Sequence, residues 1–190
     1  MTKHPGRFIV TLLLATLAPP AMAHPGHPLT GFTSGLLHPL TGLDHLLVML
    51  SAGLLIGRYR PQALPGAAAF ASAFAIGLVA ATGNATAPGS LEGALAGSVL
   101  ISGLLLCRSG ESGGGPLVLT LALLAGLHGY AHGTEAPLAR LLPWGTGAVA
   151  MVFTVTAGAG LAGRRLRGHH RLLNGMGLGV TALAAWMITG

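Results

Sequence analysis

Charged residues are scarce in this sequence. Lysine, arginine, aspartate and glutamate make up 7% of the 190 residues, 52% are hydrophobic, and the mean hydropathy is +0.71. A typical soluble domain has about 25% charged residues, so this composition excludes an ordinary water-soluble protein. We therefore predict an all-α, polytopic membrane protein whose transmembrane helices form a compact bundle.

Cysteine is almost absent as well. The single Cys107 excludes a disulfide within the chain and a metal site built from several thiolates. The net charge is +6, but the basic residues lie where membrane topology would place them, and nothing suggests a nucleic acid as a partner. The predicted partner is the lipid bilayer, and no oligomeric state is predicted.

The first 23 residues have the pattern of a signal peptide. Lys3 and Arg7 form a basic start, and the apolar run from Phe8 to Ala18 is too short to cross a bilayer. The segment 21–23 (Ala-Met-Ala) matches the small-x-small cleavage rule. We predict cleavage after residue 23, which leaves residues 24–190 as the transmembrane domain. The alternative is an uncleaved anchor.

Six apolar stretches follow, each about long enough to cross a hydrocarbon core of roughly 30 Å. The predicted spans are 32–57, 63–83, 91–107, 116–134, 141–163 and 172–189. Small residues four positions apart allow helix backbones to approach one another. Such pairs are Gly53 with Gly57, Gly93 with Gly97 and Gly175 with Gly179. Because glycine is so abundant, these spacings also arise by chance, and they predict only close packing.

The arginines predict the orientation in the membrane. If the mature N-terminus lies outside, the inside loops contain Arg58, Arg60, Arg108, Arg164, Arg165, Arg167 and Arg171. The outside loops contain only Arg140, which is the bias of the positive-inside rule. Six crossings return the C-terminus to the outside. We predict a bacterial inner-membrane protein with both termini in the periplasm.

A first polar cluster, residues 38–45, interrupts the first apolar stretch and contains the only aspartate of the chain. On a straight helix His45 would lie within about 20° of His38, but Asp44 would point about 120° away. Pro39 removes a backbone donor, and together with Gly42 it predicts a broken helix. Broken helices mark binding sites in transporters. The alternative is that Asp44 only caps the helix that follows.

A second cluster, residues 128–135, closes the fourth apolar stretch. At 100° per residue, His132 lies about 40° from His128, and Glu135 lies about 20° from His128 on the other side. The three side chains therefore share one helix face, and both clusters are predicted in the outer half of the membrane. Ionisable groups at this depth are usually functional. The alternative is that the two histidines only bond to neighbouring helices.

The two clusters resemble the paired motifs of the HupE/UreJ family. His38, Asp44 and His45 match its histidine, five residues, aspartate-histidine pattern, and residues 127–135 resemble its second motif. That motif often begins with phenylalanine where this chain has Leu127. The resemblance covers essentially the whole chain and implies a nickel permease associated with hydrogenase or urease. It further implies that His38, Asp44, His45 and Glu135 are needed for transport, with His128 and His132 in the same motif.

We therefore predict a metal-ion permease, not an enzyme, with no resident cofactor. Imidazole and carboxylate ligands suit a borderline divalent ion, Ni²⁺ or alternatively Co²⁺ or Zn²⁺, which would move from periplasm to cytoplasm. The predicted metal ligands are His38, Asp44, His45, His128, His132 and Glu135. A further predicted partner is a cytoplasmic nickel chaperone at the basic segment 164–171, with His169 and His170; the alternative is that these arginines only set the topology.

The runner-up function is electron transfer. Histidines on separate membrane helices can ligate b-type haem, and the two clusters supply four of them. The neighbouring carboxylates are poorly explained by haem, so the permease is the favoured interpretation.

Overall fold

The computed structural model describes residues 31–59, 62–82, 89–108 and 114–189. Within these ranges the chain forms seven α-helices and no strand, which confirms the all-α prediction. The helices are α1 (Phe32–Leu37), α2 (Leu43–Tyr59), α3 (Ala63–Ala81), α4 (Leu91–Cys107), α5 (Gly115–Glu135), α6 (Leu141–Arg165) and α7 (His170–Thr189). Short 3-10 turns, His38–Leu40 and Leu138–Arg140, precede α2 and α6. The predicted signal peptide, residues 1–23, lies outside the described residues.

The helix lengths identify a membrane protein. Among the described residues, four helices are long and apolar enough to cross a bilayer: α3, α5, α7, and α6 together with the turn before it. The pair formed by Phe32–Leu40 and Leu43–Tyr59 passes the same test as one bent unit and would make a fifth. Helix α4 has 17 residues, or about 25 Å at 1.5 Å per residue. This is short for a core of roughly 30 Å, so the sixth span stays a prediction.

The break in the first apolar stretch is confirmed. Helix α1 ends at Leu37, the turn that contains Pro39 follows, and α2 begins at Leu43 at an angle of 82° to the first piece. The first backbone bond of α2 runs from the amide of Leu46 to the carbonyl of Gly42, at 3.1 Å. Proline has no amide hydrogen and obstructs the preceding helical turn, so a straight helix does not continue through this segment. The chain therefore changes direction between His38 and Asp44.

Helix α2 lies at the centre of the bundle. Every residue from Ser51 to Arg58 is buried, and the helix packs against α6 on one side and α4 on another. The approach of α2 to α6 is close, since a Cβ atom on Gly53 or Gly57 would overlap the α6 backbone. By contrast, Cβ atoms on Gly93, Gly97, Gly175 and Gly179 would meet no described atom within 4 Å. One of the three predicted glycine pairs is therefore a helix contact.

Helices α3 and α5 are in backbone contact at the end that contains the second polar cluster. A Cβ on Gly129 would overlap the carbonyl of Phe74, and one on Gly133 would overlap the carbonyl of Leu78. The two glycines, each of which directly follows one of the histidines, thus let α5 lie directly on α3. This contact holds the polar end of α5 in a fixed position.

We expect Gly129→Ala to destabilise the protein by about 1–3 kcal/mol, because the added methyl group forces α3 and α5 apart. Gly126→Ala is the matched control: it lies one turn earlier on α5, and its added Cβ would be 3.8 Å from the Ala73 carbonyl oxygen, an ordinary contact. Both changes gain the same helix propensity. Unfolding in detergent, followed by circular dichroism, measures the difference, and equal stability of the two variants would contradict this packing.

Candidate metal site

The structure brings the six predicted site residues together at one end of the bundle, where the 3-10 turn meets the start of α2 and the end of α5. They form two groups, and in each the candidate ligand atoms lie within 4.8 Å of one another. The mouth group consists of His38, His132 and Glu135, and the inner group consists of Asp44, His45 and His128. The second motif is therefore divided between the two groups, because His132 and Glu135 belong to the mouth group and His128 belongs to the inner group.

The mouth group connects the broken first segment to the end of α5. The His38 ring donates from Nε2 to Oε2 of Glu135 at 2.8 Å, and Nδ1 of His132 lies 3.8 Å from the same oxygen. The Glu135 side chain is 58% exposed, whereas that of His132 is only 2% exposed. A carboxylate at the surface is thus joined to an imidazole in the interior.

The inner group lies at the first turn of α2. Oδ1 of Asp44 accepts a hydrogen bond from Nδ1 of His45 at 2.8 Å. The ring of His128, which is buried, stands perpendicular to that of His45 at a centroid distance of 4.6 Å. The Thr41 hydroxyl, just before α2, donates to the His38 carbonyl at 2.7 Å and not to an amide of α2. Asp44 therefore orients the imidazole of His45, in addition to any role as a cap of α2.

A ladder of imidazole rings joins the two groups. Ring centroids lie 4.8 Å apart between His38 and His132, 4.2 Å between His132 and His45, and 4.6 Å between His45 and His128. Successive rings touch, so the ladder leads without interruption from a half-buried histidine to a buried one. This spacing leaves no gap between neighbouring rings for a porphyrin with an axial histidine on each side. The geometry favours an ion site over the haem alternative.

Several ring nitrogens in this ladder have no hydrogen-bond partner among the described residues. Within the described part of the chain, Nε2 of His45, Nδ1 of His128 and both nitrogens of His132 are buried without a hydrogen bond. Buried polar atoms are nearly always hydrogen-bonded, and leaving one unpaired costs about 1–3 kcal/mol. Four such atoms in one place make this a candidate ligand-binding site. With neutral imidazoles, the two carboxylates give the site a charge that offsets a divalent cation.

The surroundings of the ladder include residues that the sequence did not predict. Ser98 of α4 lies with Oγ 2.7 Å from Nε2 of His128. Trp144 of α6 is buried beside the mouth group, 5.0 Å from His38 between ring centroids. A small cavity beside the ladder is lined by His45, His128 and His132 and by apolar residues, which are Pro39, Val48, Met49, Phe70, Phe74 and Val152.

A protein-family comparison identifies the family of the chain. The model of the family described as HupE / UreJ protein matches residues 12–187, nearly the whole chain. The chain belongs to the HupE/UreJ family. HupE/UreJ proteins are metal transporters and not enzymes, and the apolar helices agree with a membrane location. No curated protein and no solved structure matches the chain.

We expect Gly42→Ala to weaken metal binding by this HupE/UreJ protein by about 10-fold or more, the lower end of the loss seen when a ligand loses its orienting partner. A Cβ on Gly42 would lie 2.7 Å from Nδ1 of His45 and 2.8 Å from Oδ1 of Asp44, and so would displace the pair. Nickel binding is measured by quenching of Trp144 fluorescence.

The fluorescence experiment uses a Trp186→Phe background, because Trp186 is the other tryptophan and is 66% exposed. Gly93→Ala, which adds a methyl group where no described atom lies within 4 Å, is the control. Equal nickel affinity of the Gly42 and Gly93 variants would show that the Asp44–His45 pair does not determine binding.

Proposed function

We propose that this HupE/UreJ protein is a permease that moves Ni²⁺ from the periplasm to the cytoplasm of a bacterium, for the maturation of hydrogenase or urease. The observation that carries the proposal is the ladder of four imidazoles with a carboxylate in each group. Membership of a metal-transporter family supports it independently. The metal ion is the substrate and not a resident cofactor.

The chemistry of the ladder supports nickel as the substrate. Imidazole nitrogen and carboxylate oxygen suit borderline divalent ions, and at such sites Ni²⁺ binds more tightly than Co²⁺. The single thiol, Cys107, is the last residue of α4, and its sulfur lies 3.7 Å from the Asn174 carbonyl oxygen. It therefore takes no part in this site. Cobalt and zinc share the same ligand preferences and are the expected competitors.

Uptake would begin at the exposed Glu135, whose charge attracts the cation and whose partner His38 supplies the first imidazole. The ion would then pass from His132 to His45, whose rings are 4.2 Å apart, and reach the inner group. Each group offers three side chains, fewer than the six ligands that hydrated nickel has. Incomplete ligation of this kind favours release to the next site over permanent retention.

Buried apolar side chains lie next to the inner group. Val48, Phe74 and Val152 are all at most 2% exposed and line a small cavity together with His45, His128 and His132, and we call these three apolar side chains the floor. A hydrated cation does not cross a layer of buried apolar side chains. Transport requires the floor to open, and facilitated diffusion fits the absence of a Walker-type phosphate-binding loop from the sequence.

The end of the bundle opposite the ladder is basic, as the predicted orientation requires. Arg58, at the end of α2, donates to the Leu106 carbonyl at 3.1 Å and lies 3.4 Å from Nδ1 of His170. Arg164 and Arg165 end α6 on the same side. Placing this end in the cytoplasm puts the ladder at the periplasmic surface. The exposed His169 beside it would be the contact for a nickel chaperone.

We expect Asp44→Ala or Glu135→Ala to reduce nickel uptake to background, because each change removes one of the two charges that offset the ion. Glu92→Ala is the matched control, since Glu92 is an exposed carboxylate at the start of α4, on the same side of the bundle. Nickel accumulation in expressing cells is measured, with each protein quantified in the membrane fraction.

Competition in the same assay tests the choice of ion. Excess cobalt or zinc should reduce nickel uptake by the wild-type protein, and excess magnesium should not, because magnesium prefers oxygen ligands.

Unchanged nickel accumulation in the Asp44 or Glu135 variant, at normal membrane levels, would refute the proposed path.

A further inference from the structure

We propose that Ser98 is a positioning residue that keeps the proton of His128 on Nε2, so that Nδ1 of His128 is the atom that binds the transported ion. This inference rests on the proposed function and assigns an atom and a supporting residue within its site. It starts from the hydrogen bonds of Ser98, a residue of α4 that belongs to neither motif. Its side chain is 1% exposed, between α4 and α5.

The Ser98 hydroxyl has two neighbours, and they determine its direction. The carbonyl oxygen of Leu95 lies 2.5 Å from Oγ and can only accept, so the hydroxyl proton is donated to it. Oγ then offers only lone pairs to Nε2 of His128, at 2.7 Å. Nε2 must be the donor in that bond. A neutral His128 ring therefore has its proton on Nε2 and its lone pair on Nδ1.

The other nitrogen of His128 is the one without a partner. Nδ1 is fully buried and makes no hydrogen bond to any described residue, and the ring belongs to the group that contains Asp44 and His45. A buried nitrogen lone pair in this position is ready to bind a cation. In metal sites, the hydrogen bond on one imidazole nitrogen fixes the tautomer and leaves the other nitrogen for the metal.

His45 follows the same rule with the two nitrogens exchanged. Its Nδ1 donates to Asp44, and its Nε2 is buried without a partner among the described residues. Asp44 thus does for His45 what Ser98 does for His128. The inner group then presents Nε2 of one ring and Nδ1 of the other, and the second oxygen of Asp44 is left for the ion.

Ser102 provides the control that this inference needs. It lies one turn after Ser98 on α4, is fully buried, and donates to the Val99 carbonyl at 2.8 Å. No hydrogen bond joins it to an imidazole of the described chain. Replacing Ser102 by alanine therefore changes helix packing and backbone bonding as Ser98→Ala does, but leaves His128 as it is.

The first experiment determines the tautomer directly. The ¹⁵N NMR spectrum of the metal-free, histidine-labelled protein distinguishes a protonated from an unprotonated ring nitrogen, and His128→Gln identifies the His128 signals. We expect wild-type His128 to be protonated on Nε2, with Nδ1 unprotonated. Protonation on Nδ1 in the wild-type protein would overturn the inference, and this result does not depend on whether any Ser98 variant folds or any nickel is transported.

The second experiment links the tautomer to the ion. We expect Ser98→Ala to raise the KM for nickel uptake by roughly 10- to 100-fold, the range for loss of a supporting partner of a metal ligand, with a smaller effect on the maximal rate. Ser98→Thr keeps the hydroxyl and should restore the wild-type KM, and Ser102→Ala should leave it unchanged. A wild-type KM in Ser98→Ala would overturn the inference, whereas the absence of any nickel uptake by the wild-type protein would overturn the proposed function instead.

Discussion

Pro39 withdraws one backbone donor from the first apolar segment, and Gly42 allows the chain to resume as a helix beside the Asp44–His45 pair. The two pieces meet at 82°. This break sets the position of every ligand from the first motif, because it places His38 against Glu135 and lets His45 point toward His128 and His132. On a straight helix, Asp44 would face away from His38 and His45.

The break is useful only because α5 is held in place opposite to it. Gly129 and Gly133 let α5 pack on the backbone of α3. This contact keeps the second motif on α5 next to the residues of the first motif. The ladder itself is costly, since four of its buried nitrogens have no hydrogen-bond partner among the described residues. Binding of a cation would relieve that cost, whereas the mixed and incomplete ligand set keeps the ion exchangeable. The unpaired nitrogens lower the stability of this end of the bundle, where the proposed function requires the ion to bind and leave.

Much of this arrangement was predictable from the sequence. Helix bounds follow from the apolar stretches, and the break follows from Pro39 and Gly42. The equal depth of the two clusters allows them to meet but does not require it. The division into two groups was not predictable: periodicity places His128 and His132 on one face, but which neighbour each ring meets depends on how α2 tilts after the break. Helix α4, with only 17 residues, shows that an apolar stretch alone does not establish a span.

Ser98 and the glycines also show what cannot be predicted from the sequence alone. A serine in an apolar helix usually bonds to its own backbone, as Ser102 does, so nothing in the sequence separates the two before α4 is packed against α5. Gly53 and Gly93 both have a glycine four residues later, yet only Gly53 lies in a helix contact. Composition and spacing identify candidates, and tertiary packing decides among them.

X-ray absorption at the nickel edge of the purified, nickel-loaded protein tests the central claim most directly. The ladder predicts a coordination shell of imidazole nitrogen and carboxylate or water oxygen, with no sulfur, and fewer imidazole ligands when His45 and His128 are both replaced by alanine. A sulfur ligand, a fully hydrated ion, or a spectrum unchanged in the double variant would contradict it.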